Sequence, residues 1–181
     1  VFGAAASHAG DGHFRVTQVP EMLKYVRRVR RYGGPEALLE KLRGIGKGQR
    51  SGDLFDLMTF MACGAAYSPD ASVPLGFRLP IDWQTGTIDD EVFARWLRYD
   101  PVERCCDEPF LRALRSLRLL YLDAGTRDEY HLDVAARQLA ARLRGLGVAV
   151  VHEEFDDGHM NTNYRYDRSI PLLCRALAPE A

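Results

Sequence analysis

Apolar residues recur along this chain in two rhythms. The first is a set of short, nearly continuous runs, each closed by turn-forming residues. Val1–Ala6 leads into Ser7-His8-Ala9-Gly10-Asp11. Leu117–Leu122 leads into Asp123-Ala124-Gly125-Thr126-Arg127-Asp128, and Val148–Phe155 into Asp156-Asp157-Gly158-His159. Runs of this length, ended by Gly and Asp, predict parallel strands buried on both faces. The second rhythm is helical. From Leu132 to Leu146 the positions Val134, Ala135, Leu139, Leu143 and Leu146 share one stripe, with Arg137, Arg142 and Arg144 turned outward and Gly145 and Gly147 at the end. Strand, helix and strand in this order predict a right-handed crossover. Ser169–Leu177, with Pro171 taken as first-turn residue, predicts a closing helix.

Between the first two runs the pattern changes. Glu21–Val26, Pro35–Leu42, Asp53–Ala66 and Asp89–Tyr99 read as helices, the third carrying Leu54, Leu57, Met58 and Met61 on one stripe. Ser68–Thr87 is rich in loop formers. So long a helical stretch is not a plain crossover. It predicts a helical cap or lid inserted at residues 17–110, with residues 1–16 and 111–181 forming an α/β core of three parallel strands and flanking helices.

Composition narrows the function. With 181 residues, 24 Lys and Arg against 25 Asp and Glu, and 46% hydrophobic residues, the chain has the make-up of a soluble globular protein. A net charge of −1 excludes a general nucleic-acid binder, which needs a cationic surface. No apolar run is long enough to span a bilayer, so no membrane partner is expected, and Val1–Ala6 lacks the basic start of a signal peptide. Cys63, Cys105, Cys106 and Cys174 contain no CxxC pair and read as reduced structural thiols of a cytoplasmic protein. All cations but Lys24, Lys41 and Lys47 are Arg, which reads as codon bias; the cluster Arg27, Arg28, Arg30 and Arg31 reads as a solvated helix face.

The candidate chemistry sits at the strand ends, where ligands of parallel sheets bind. A carboxylate after one strand and a histidine after the next can meet, the acid fixing which ring nitrogen carries the proton and leaving the other as a base. The segment Leu122-Asp123-Ala124-Gly125-Thr126-Arg127-Asp128-Glu129-Tyr130, with its Gly-x-x-Asp pattern, resembles the acid loop of α/β-hydrolase esterases. Phe155-Asp156-Asp157-Gly158-His159 resembles their histidine loop, and Val1–Phe14 the strand and loop after the nucleophile helix. The family is the one that includes esterase D-like, feruloyl-esterase-like and enterochelin-esterase-like enzymes. The resemblance covers Val1–Phe14 and Ser116–Ala178, and not the cap.

That resemblance implies a carboxylic ester hydrolase in which Asp128 is the acid and His159 the base of a Ser-His-Asp triad. Asp123, the rival acid, reads as structural. His13, Trp83 and Trp96 are expected to contact a small-molecule ester substrate; neither cofactor nor metal is expected, because no zinc-type spacing repeats among His152, Asp156, Asp157 and His159. The chain departs from the family in lacking Gly-x-Ser-x-Gly: Ser7, Ser51, Ser68, Ser72, Ser116 and Ser169 all fall outside such a string. It therefore looks like the carboxyl-terminal half of an esterase. Its nucleophile, Ser or Cys, and its oxyanion hole are expected on an amino-terminal half carried by a separate chain or fragment. The chain alone is expected to be inactive. The unpaired first strand also invites association, which leaves room for a homo-oligomer. The alternatives are a non-catalytic α/β-hydrolase-like binding module and a free-standing three-strand domain.

Overall fold

A computed structural model describes residues 2–44 and 52–178; Val1, Lys47 and Ser51 lie outside them. The chain divides into two compact units, Val1–Thr17 with Asp100–Ala181, and Gln18–Tyr99.

The first unit is mixed α/β. Strands β1 (Ala4–His8), β2 (Leu119–Gly125) and β3 (Val150–Phe155) form a parallel sheet in the order β1-β2-β3. β2 is central and buried from Leu120 to Gly125, which is why its run is so apolar. Each strand begins two or three residues later than the apolar runs predict, and the β1–β2 pairing extends into the polar end, where Ser7 and His8 stand beside Leu122 and Asp123.

Helix α7 (Leu132–Gly145) covers one face. Its Ala140 and Leu143 pack with Leu120, Leu122 and Val148 in one apolar cluster. The helix α8 (Tyr166–Leu177) covers the other face and starts three residues before the predicted Ser169, because the 3-10 turn Thr162–Arg165 runs straight into it. Pro171 consequently lies inside the helix rather than in its first turn, and its missing N–H deprives the Asp167 carbonyl of the usual helical partner.

The boundary expected after Phe110 falls at Tyr99 instead. Asp100 has no exposed surface; its carboxylate accepts the Phe14 N–H at 2.7 Å and the Val102 N–H at 2.8 Å. Val102 N–H also reaches the Gly12 carbonyl at 3.1 Å. These bonds fasten α5 (Pro101–Arg104) to the chain leaving β1, and α6 (Glu108–Arg115) follows with Leu111 buried.

The second unit is helical. It holds most of α1 (Phe14–Val29), with α2 (Pro35–Gly44), α3 (Gly52–Tyr67) and α4 (Asp90–Leu97). α1 begins well before the predicted Glu21 and runs through Pro20. Met22, Tyr25, Leu38, Leu57, Phe60 and Trp96 make the interior. Trp96 is 0% exposed and donates its indole N–H to Ser68 Oγ at 2.8 Å. It is a core residue of this unit, not the pocket wall expected above. Trp83 is half-buried and lies against Gly34, where φ is +112° and a β-carbon would come within 3.0 Å of the indole. Among the described residues no helix is long and apolar enough to cross a membrane.

Beneath α8 a polar network is sealed against the sheet. Arg165 Nε donates to Asp123 Oδ2 at 2.8 Å, and its Nη2 reaches the Tyr121 hydroxyl and Glu153 Oε2, each at 2.8 Å. The guanidinium also lies over the Phe155 ring, 4.4 Å from its centre. Asp123 is fully buried and the Arg165 side chain only 13% exposed, so losing one partner leaves an uncompensated charge inside the protein. Arg165→Met should cost about 3 kcal/mol in urea unfolding. Arg168→Met, which removes a mostly exposed partner of Glu153, should cost less than about 1 kcal/mol.

Candidate active site

The turn after β2 is shaped by what Gly125 lacks. A β-carbon there would lie 2.2 Å from the Asp157 carbonyl oxygen. Without one, the turns after β2 and β3 lie against each other: Thr126 N–H donates to the Phe155 carbonyl at 2.8 Å and Arg127 N–H to the Asp157 carbonyl at 2.9 Å. His159 N–H donates to Glu129 Oε2 at 2.9 Å. The two turns form one hydrogen-bonded surface.

Asp128 and His159 meet on that surface. Asp128 Oδ2 lies 3.0 Å from His159 Nδ1, with the Asp128 side chain fully buried and the His159 side chain 28% exposed. The other carboxylate oxygen, Oδ1, accepts the Tyr130 N–H at 2.9 Å and the Leu132 N–H at 3.4 Å, closing the start of α7. The Tyr130 ring stands edge-on to the imidazole at 5.1 Å. Nδ1 is therefore occupied, and among the described residues no side chain partners Nε2.

The electrostatics follow from these contacts. Burial alone would push the Asp128 carboxyl up, but hydrogen bonds from His159 and from the Tyr130 and Leu132 amides outweigh it and hold the group below its ordinary value. The hydrogen bond to Asp128 raises His159 above its ordinary value, against the opposing effect of burial. Such a pair can hold a proton on Nδ1 and offer Nε2 as a base.

A second set, which sequence reasoning missed, lies at the ends of β1 and β2. His8 Nδ1 is 2.7 Å from Asp123 Oδ1, and His8 Nε2 is 2.9 Å from Ser169 Oγ. These three have the connectivity of a Ser-His-Asp triad. Ser169, however, is 1% exposed on the sheet-facing side of α8. No substrate carbonyl can approach its hydroxyl, so the set works as a strut between α8 and the sheet. The only advance signal was His8 and Asp123 at the ends of apolar runs. Asp123 is wholly engaged here and in the Arg165 network.

His13 does not join the Asp128–His159 pair. It stands at the start of α1, with Nδ1 2.5 Å from Gln138 Oε1 on α7. A small cavity of about 110 Å³ lies nearby, lined by Ser7, Gly10, Asp11, Pro101 and Leu139 among others, and neither Asp128 nor His159 borders it. Trp83 and Trp96 belong to the other unit. Among the described residues, no group of three or more His, Cys, Asp or Glu side chains converges as metal ligands would.

No protein-family model matches the chain, and no curated protein matches it.

The pair makes a titration prediction. His159 titrates higher in the fold than its unfolded value of about 6.5, so its stabilising contribution is complete below that pH and fades as pH rises through the native value. Asp128 contributes above its unfolded value and loses its effect as acid protonates it. NMR titration should place the His159 imidazole above about 6.5, and Asp128→Asn should bring it back down.

Proposed function

We propose that this chain supplies the acid and base of an α/β-hydrolase carboxylesterase. His159 takes the proton of a nucleophile and returns it to the leaving alcohol; Asp128 orients the ring and balances its positive charge. The observation that carries the reading is the Asp128–His159 pair: one ring nitrogen held at 3.0 Å by a buried carboxylate, the other open. The order of strand, acid turn, helix, strand and histidine turn supports it, as does the parallel sheet.

In this proposal the nucleophile and the oxyanion donors come from outside the chain, on a companion segment whose strand pairs along β1. The outer edge of β1 has no strand beside it among the described residues. Next to that edge, α8 exposes Tyr166, Ile170, Cys174 and Leu177 on one stripe, and Phe2 is 85% exposed. Leu177 reaches Gly3, so the stripe and the strand edge are continuous. Such a surface suits a strand and helix laid alongside it. Cys63, Cys105, Cys106 and Cys174 form no disulfide among the described residues, which suits a cytoplasmic setting.

The strut of His8, Asp123 and Ser169 offers a sharp control. A fluorophosphonate probe added to this chain alone should leave Ser169 unlabelled and find no ester turnover. With the companion segment present, the label should land on that segment. His159→Ala should then lower kcat for a p-nitrophenyl ester by about a thousandfold or more. Because neutral His159 is required and its ionisation is raised, the acid limb of kcat/KM should lie above pH of about 6.5. Unchanged turnover in His159→Ala would refute the assignment.

A further inference from the structure

Cys105 and Cys106 are adjacent thiols at the end of α5, and they face different surroundings. Cys105 is 4% exposed and packs in the apolar cluster with Leu111, Leu120, Leu122 and Leu143. Cys106 is exposed. Each thiol donates to a carbonyl three residues back, Cys105 to Val102 at 3.3 Å and Cys106 to Glu103 at 3.2 Å. Arg142, on α7, donates from Nη2 to Cys106 Sγ at 3.6 Å. A cation set against a solvent-open thiol, with a second, sheltered thiol next to it in the chain, is an arrangement that favours a nucleophilic thiol with a resolving partner.

We propose that Cys105 and Cys106 form a peroxide-responsive dithiol. The Cys106 sulfur attacks hydrogen peroxide, breaking the O–O bond; the sulfur becomes a sulfenic acid, and the departing hydroxide takes the thiol proton and leaves as water. The Cys105 sulfur then displaces the new hydroxyl, closing a Cys105–Cys106 disulfide. The Cys105 proton leaves with that hydroxyl as a second water. Two sulfurs are oxidised and the two peroxide oxygens reduced, so the step needs no further reagent.

The division of labour follows from burial. Burial pushes the Cys105 thiol up despite Arg142, so it waits protonated while Cys106 meets the oxidant. The cross-link is reversible by construction. Adjacent Cα atoms lie about 3.8 Å apart, closer than disulfides prefer, and a strained bond of this kind is readily reduced. Closing it cannot leave Cys105 in its helical conformation of φ −62° and ψ −18°. The turn after α5 opens, and the Cys105 sulfur is drawn out of the cluster beneath β2.

The test uses the full chain carrying Cys63→Ser and Cys174→Ser, treated with hydrogen peroxide and read by peptide mass spectrometry. The expected product is a Cys105–Cys106 peptide lighter by two hydrogens and restored by dithiothreitol. In Cys105→Ser, dimedone should trap a sulfenic acid at Cys106. Arg142→Met should slow thiol loss about fivefold, and Arg142→Lys should recover most of the rate, separating charge from fold. Over-oxidised Cys106 beside an intact Cys105 thiol, or dimedone at Cys105, would overturn the proposal. So would a rate indifferent to Arg142→Met.

Discussion

The approach of Gly125 to the Asp157 carbonyl sets the distance between the two turns that carry the candidate chemistry. Any side chain at 125 would place carbon 2.2 Å from oxygen, so the turns after β2 and β3 could not share backbone hydrogen bonds. With them shared, Asp128 and His159 have no freedom to drift apart: one belongs to the start of α7 and the other is tied through its own N–H to Glu129. The pair is thus positioned by backbone amides bonded to the Asp128 and Glu129 carboxylates as well as by its own side-chain bond. Rigid backbone support of this kind is what lets a carboxylate and an imidazole hold geometry at a partly exposed site.

Among the described residues of this unit, two imidazoles are hydrogen-bonded to an aspartate through Nδ1, and they differ in what surrounds the second ring nitrogen. At His8 that nitrogen meets a hydroxyl sealed on the sheet-facing side of α8, and the carboxylate is also engaged by Arg165 and Tyr121. Every polar atom there is used for cohesion, as buried networks require. At His159 the second nitrogen faces outward. The same chemistry therefore serves as a fastener in one place and leaves a ring nitrogen accessible in the other. Shape alone does not separate a triad from a strut; access does.

Much of this was legible in the sequence. The three strands and α7 were, because uninterrupted apolar runs and a long helical stripe are strong signals. Asp128 and His159 were, through the order of their turns. Other features were not. α5 and α6 span four and eight residues, too few for a periodic pattern to declare itself. The early start of α1 was hidden by Pro20. Trp96 looked like a pocket aromatic because aromatic character says nothing about which way a ring faces. The contact of His8 with Ser169 joins residues 161 apart in the chain, and no local pattern announces such a meeting.

One side chain, Asp128, divides its two oxygens between unlike tasks, and this has a chemical consequence. Oδ1 serves amide donors at the head of α7, so that corner must remain an acceptor. An asparagine in its place would satisfy those amides with its oxygen and turn its NH₂ toward Nδ1. A ring nitrogen facing a donor must give up its hydrogen, which moves to the far side of the imidazole. The neutral ring would persist in the opposite tautomer, with a lone pair turned inward and an N–H turned out. Helix architecture and proton placement are thereby bound into a single carboxylate, and neither can be altered without resetting the other.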